Sequence, residues 1–299
     1  MNEPQLQPAT GTPVIGGNTR AASWKVFYKK LSKNKAALAG ALIVFIFVLL
    51  ALLAPYIAPY EPNKMQIANK LQGPSAEHWL GTDDKGRDIL SRILYGSRIS
   101  LTVGILSTVL GAAIGIVLGI VSGYYGRWVD SLIMRICDVL LAFPGILLAL
   151  AIVSVLGAST VNVIIAVAFF AIPTFARIVR GSTLAVKKLE YIDAIKAVGA
   201  RDSRIIFRHI LPNITSPIIV QATLYIASAI ITAAALSFLG MGTQPPDPEW
   251  GTMLSQGRSY IRQAPHITLF PGLVILLVVV GFNLFGDGLR DALDPKTKK

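Results

Sequence analysis

The 299-residue chain is 53% hydrophobic and 15% charged, well below the roughly 25% charged share of an ordinary soluble domain. Its net charge of +12 would suit a nucleic-acid binder, but the basic residues flank long apolar runs and form no patch. A single cysteine, Cys137, and three scattered histidines (His78, His209, His266) exclude a disulfide framework and a cysteine or HExxH metal site.

Residues 1–35 read as a cytoplasmic tail, partly disordered. Pro, Gly, Thr and Asn fill its start, and Arg20, Lys25, Lys29, Lys30, Lys33 and Lys35 follow. The uncharged run Ala36 to Ala54, closed by Pro55, predicts a first transmembrane helix within 36–58. It starts too late and runs too long for a signal peptide, whose apolar core is roughly 7–15 residues. Residues 59–98 read as an external loop. Its last part carries Asp83, Asp84, Lys85, Arg87, Asp88, Arg92 and Arg98, which predicts a short amphipathic stretch on the outer surface.

Residues 99–290 read as a five-helix core. Its first helix, the second span, covers about Ser100 to Gly123 and repeats glycine every fourth position: Gly111, Gly115, Gly119, Gly123. Such a ridge predicts close packing of another helix. From Val139 to Ala176 no residue is charged, too long a run for one crossing of about 30 Å at about 1.5 Å per residue. A break at Gly157 to Thr160 divides it into two spans. A fifth span covers about Ser216 to Leu239 and a sixth about Ile267 to Phe285, and 291–299 form a cytoplasmic tail.

Of the 28 Lys and Arg residues, 20 fall in the two tails, the 124–138 turn and the 177–212 loop, whereas the acidic residues divide almost evenly. Positive-inside charge places those segments, and both termini, in the cytoplasm. The spans hold no ionisable residue near their middles, which argues against a proton-coupled carrier or an intramembrane hydrolase. No glycine is followed by lysine, so the chain has no Gly-x-x-x-x-Gly-Lys phosphate loop, and ATP-derived energy must enter through a partner. The 177–212 loop offers the contact: a helix over about Ala185 to Ala197 ended by Gly199, then a second helix capped by Asp202 or Ser203, running to Ile210 and stopped by Pro212.

This loop, Glu190-Tyr-Ile-Asp193-Ala194-Ile-Lys-Ala197-Val-Gly199 with His209-Ile-Leu211-Pro212 downstream, resembles the EAA loop of ATP-binding-cassette importer permeases. Ile195 stands where that family often has a second alanine, and His209 where it often has isoleucine. His78-Trp-Leu-Gly81-Thr-Asp83-Asp-Lys-Gly86-Arg87-Asp88, Asp138-Val-Leu-Leu-Ala-Phe-Pro144 and Gln244-Pro245-Pro246-Asp-Pro-Glu-Trp250-Gly251 are similar to segments of one branch, the C-type permeases of oligopeptide, dipeptide and nickel uptake. The resemblance implies an all-α type I importer permease of six transmembrane helices in a bacterial or archaeal inner membrane.

It further implies as partners a second homologous permease, two cytoplasmic ATPases that hold the ATP and Mg, and an extracytoplasmic solute-binding protein. No cofactor, metal or catalytic residue is implied in this chain, and no nucleic-acid partner. Glu190, Tyr191, Asp193, Ala194, Ala197, Gly199, Leu211 and Pro212 are the expected ATPase-coupling residues. Gln244-Pro245-Pro246 reads first as a rigid turn and second as a solute contact. The rival classes are a secondary carrier or channel, for which Phe143-Pro144 and Ile172-Pro173 are the only interruption candidates, and a membrane enzyme, for which no reactive cluster exists.

Overall fold

The computed structural model of the chain describes residues 30–293, so most of the two expected tails lies outside the described residues. The helices are α1 (Lys35–Ile57), α2 (Ile89–Tyr125), α3 (Arg127–Ala142), α4 (Gly145–Leu156) and α5 (Thr160–Lys187), followed by α6 (Glu190–Ala197), α7 (Asp202–Ile205), α8 (Leu211–Phe238), α9 (Trp250–Gly257) and α10 (His266–Leu293). Among the described residues there is no β-strand, only an isolated bridge between Thr82 and Asp88.

Five helical stretches are long and apolar enough to cross a membrane: α1, α2, α5, the continuous Asp202–Phe238 stretch and α10. The pair α3 and α4, which meet at 91°, is apolar enough for a sixth only if the two are counted together as one broken span. Leu42, Phe45, Leu49 and Leu52 of α1, Val109 and Val117 of α2, and Leu269 and Leu276 of α10 stand exposed. So much outward apolar surface suits contact with lipid and not with water.

Three boundaries differ from those read in the sequence. The third span is not one straight helix from Val139, because the chain bends at Phe143-Pro144. Proline lacks an N–H and disfavours helical angles at the residue before it, and Phe143 is extended at φ −84° and ψ 138°. The second span starts at Ile89, so the mixed-charge segment is no surface stretch but leads into the buried first turns of α2. Nor is 177–212 one long loop: α5 continues to Lys187 and the next spanning stretch begins at Asp202. Pro212 does not stop that helix. It stands in the first turn of α8, where a missing N–H costs little, just after a wide π-turn over Ile206–Ile210.

The spine of the molecule is α2 against α5, set by the glycine ridge. A Cβ added at Gly115 would lie 2.5 Å from Phe175 Cβ and 2.8 Å from the Ile172 carbonyl oxygen; at Gly119 it would lie 2.6 Å from the Ala176 carbonyl oxygen. Gly111 meets Ala168 and Ala171, and Gly123 meets Arg180 and Thr183. The two backbones therefore touch along four successive turns, the packing that small residues permit in lipid. Around this spine Val103, Val153, Val167, Phe175, Tyr225 and Leu236 form one apolar core, and Phe47, Ile93, Ile230, Trp250, Val278 and Phe282 a second.

Candidate functional site

At one end of the bundle, α6 packs one face on the ends of the spans and leaves the other face open. Lys187, the last residue of α5, donates to the Tyr124 carbonyl and lies 5.5 Å over the Tyr124 ring, which ties the ends of α5 and α2 together. Tyr124 donates its hydroxyl proton to Asp202 Oδ1 at 2.7 Å, so the same residue also holds the start of α7. Between these anchors the chain has only residues 188–201 in which to leave the bundle and return.

The residues of α6 divide by face. Ile192 is fully buried with Ile205, Ile210 and Ile214, packed on Val179, Ile120 and Tyr124. Glu190, Tyr191, Asp193, Ala194 and Ala197 are exposed, and Val198, just past the helix, is 86% exposed. Glu190 and Asp193 occupy the first turn, where negative charge complements the free N–H groups. The end is closed by two bonds, Gly199 N–H to the Lys196 carbonyl (2.9 Å) and Ala200 N–H to the Ile195 carbonyl (3.3 Å). That is the paired pattern of a glycine-terminated helix, with Gly199 at φ +80°. Nothing lies within 4 Å of a Cβ built at Gly199, so backbone angle and not crowding demands glycine there.

The downstream motif sits behind this platform. Asn213 donates to Tyr191 Oη (3.2 Å) and to the His209 carbonyl (2.6 Å), and the Tyr191 and His209 rings lie 6.2 Å apart. Leu211 and Pro212 begin α8 directly below. The residues singled out in the sequence thus lie on α6 and at the start of α8, with an outer face polar at Glu190 and Asp193 and apolar at Val198. Of the residues that position this loop, Asp202 is expected from the sequence as a helix cap, whereas Lys187 carries no motif signal. Two ion pairs brace the neighbouring α3 against α5: Arg180 grips Asp130 with two bonds of 2.5 and 2.6 Å, and Arg177 meets Asp138 at 2.7 Å in a more exposed place.

The opposite end is a polar cap in which the two distant motifs meet. Asp83 accepts from the N–H groups of Lys85 and Arg87 (2.9 Å each) and from Arg87 Nε (2.7 Å). Arg87 reaches on to Gln256 Oε1 at 2.9 Å. Arg92 donates to the carbonyls of Pro62 and Pro246 and to Asn63. Arg87 and Arg92 are 0% and 1% exposed, so the charges that look like surface in the sequence form a buried, hydrogen-bonded cluster.

Asp88 caps α2 through Ser91 N–H (2.8 Å) and meets His78 Nδ1 at 2.9 Å. Gly81 and Gly86 make the turns between these residues, at φ +80° and +70°. Gln244 donates to the Gly240 and Gly242 carbonyls, which closes the turn after α8, and the Pro245-Pro246 peptide is cis. Trp250, fully buried, donates from its indole to the Ile93 carbonyl at 3.2 Å. Glu249 caps α9 through Gly251 and Thr252 and accepts from Ser100 Oγ. These residues form a lid that holds the ends of α2 and α9 together.

The family model described as "Binding-protein-dependent transport system inner membrane component" matches residues 115–299. One described as "N-terminal TM domain of oligopeptide transport permease C" matches residues 23–74. A dipeptide transport system permease of Alkalihalophilus pseudofirmus is 52% identical over 99% of this chain and 98% of its own length. A glutathione transport system permease of Pectobacterium atrosepticum is 52% identical over 96% of this chain and 95% of its own. Its counterpart in Escherichia coli O157:H7 is 51% identical over the same shares. Among solved structures, a chain of the MetNI methionine ABC transporter in an inward-facing conformation superimposes with a TM-score of 0.55 at 18% identity. It covers 69% of this chain and 98% of that one, a likeness of fold alone.

Proposed function

The chain belongs to the family of binding-protein-dependent transport system inner membrane components, and on that premise we propose that it is a translocation subunit for di- or oligopeptides. It would lie in the inner membrane of a bacterium or archaeon with α6 and both termini in the cytoplasm. Its partners would be a second permease chain, two ATPases that bind ATP and Mg, and an external solute-binding protein. The chain itself contributes no catalytic residue. Dipeptide and glutathione permeases among its relatives support the peptide class, since glutathione is itself a small peptide.

The observation that carries the proposal is α6. It is a short helix held rigidly to the spans by one buried isoleucine and a tyrosine bridge, with its acidic and apolar residues turned outward. Such an element transmits force in both directions. When ATP closes the ATPase pair, a partner gripping α6 would move α5 and α8 with it, because their ends share the same apolar cluster. The spans would then tilt as bodies between inward-open and outward-open arrangements.

The test is purification of the tagged chain from its native host in mild detergent, followed by mass spectrometry of what accompanies it. A second six-span chain and phosphate-loop ATPases are expected, and both ATPases should be lost from the Asp193→Arg variant while the spans stay inserted. Recovery of the chain alone, or retention of both ATPases by that variant, would overturn the coupling assignment and favour an ATP-independent carrier. Nickel or another small solute in place of peptide would appear as a peptide-blind complex that still assembles.

A further inference from the structure

The cap end holds an open cavity of about 550 Å³, within the roughly 300–1,000 Å³ range of small-molecule sites. Its walls include Asn63, Tyr95, Arg98, Thr102, Thr160 and Asp247. Tyr95, Arg98 and Thr102 lie three and four residues apart and so share one face of α2. Thr160 opens α5, and Asp247 comes from the proline-rich turn before α9.

The charges of this cavity differ from those of the buried cluster beneath it. Arg87 and Arg92 are enclosed and paired, whereas Arg98 and Asp247 are exposed and, among the described residues, neither makes an ion pair or a side-chain hydrogen bond. Arg98 stands near the outer start of α2, just before the uncharged run from Ser100, and its side chain lines the cavity. The first turn of α5 begins at this cavity with Thr160, and the start of a helix carries partial positive charge. Asp247 adds negative charge to the same cavity, although its field also reaches Arg92. The cavity thus offers one group that favours an anion and one that favours a cation.

We propose that this cavity is a subsite for the two termini of a zwitterionic short peptide, with Arg98 and the start of α5 taking the carboxylate and Asp247 the ammonium. The inference rests on the reading of the chain as a peptide translocation subunit, and it adds a recognition site within the membrane subunit itself. The cavity lies at the end of the bundle opposite α6, so in the proposed orientation it is where a peptide released by the binding protein would first meet this chain. Tyr95 and Thr102 would border the peptide backbone with donor and acceptor groups that tolerate many side chains.

The complete importer, with both permeases, both ATPases and its binding protein, is reconstituted in liposomes and given radiolabelled Ala-Ala or its C-terminal amide. Loss of a charge-assisted bond predicts that Arg98→Gln lowers Ala-Ala uptake about tenfold. Uptake of the amide, which has no carboxylate to lose, should stay within about twofold of wild type, and Arg98→Lys should restore part of the Ala-Ala rate. Asp247→Asn should lower uptake of both. Subunit composition and ATP hydrolysis without peptide should be unchanged in every variant.

Equal loss for peptide and amide in Arg98→Gln, or no loss for either, would overturn the subsite while leaving the importer reading intact. Loss of the partner permease from the Arg98→Gln complex would show a subunit contact and overturn it equally. A wild-type complex that assembles but moves no dipeptide would instead refute the peptide reading on which the subsite rests.

Discussion

Two glycines on the same chain are needed for different physical reasons, and substitutions separate them. Gly199 sits at φ +80° with open space where a Cβ would go, so Gly199→Ala suffers only the left-handed backbone, about 1–2 kcal/mol. The local turn should reopen and ATPase binding should weaken, while thermal unfolding of the detergent-solubilised chain shifts little. Gly115 has ordinary helical angles but stands against Phe175 Cβ and the Ile172 carbonyl, so Gly115→Val must push α2 from α5. Overpacking of this kind costs about 1–3 kcal/mol, and the unfolding temperature should drop clearly with or without ATPase present. Both positions were legible as residues, one by its place after an amphipathic pattern and one by its fourfold repeat. The burial of Arg87 and Arg92 was not. Sequence shows a charge but not the carbonyls of Pro62 and Pro246 that surround it, which come from segments 30 and 154 positions away.

At the scale of elements, the apolar runs located the long membrane-compatible helices, while their ends differed both at Pro144 and where helices run past the apolar stretch, at Ile89 and Lys187. Pro144 bends its span, while Pro173, Pro217 and Pro271 lie inside unbroken helices. Proline removes one hydrogen bond in each case, and in a packed bundle neighbouring groups make good the loss, so its effect depends on surroundings that sequence does not show. The bent element α3 depends on its braces to α5, and these are unequal. Asp130 receives two bonds from Arg180 and one from Ser122 in a partly buried place, so Asp130→Asn should destabilise the chain by about 1–3 kcal/mol. Asp138 and Arg177 are both more than half exposed, so Asp138→Asn should change stability by at most about 0.5 kcal/mol. Thermal unfolding of the two variants in one detergent compares them directly, and equal effects would mean that α3 is held by its apolar contacts instead.

For the whole molecule, orientation follows from charge and not from any contact within the fold. The end bearing α6 carries Arg177, Arg180, Lys187, Lys188, Lys196, Arg201, Arg204 and Arg208, and moving such a cluster across the membrane during insertion is unfavourable. The cap end buries two of its cations, Arg87 and Arg92, against Asp83. The proposed cytoplasmic placement of α6 rests on this charge asymmetry. Cysteine labelling in intact cells measures it. Cys137 is buried, so Cys137→Ser removes the native thiol from a packed position, and single cysteines then go to two exposed sites at opposite ends, Ala76 in the cap and Val198 beyond α6. An impermeant maleimide should label Ala76→Cys at once and Val198→Cys only after the membrane is permeabilised. Labelling of Val198→Cys in unbroken cells would put α6 on the face where no ATP is available, and no arrangement of ATPase partners could then act through it.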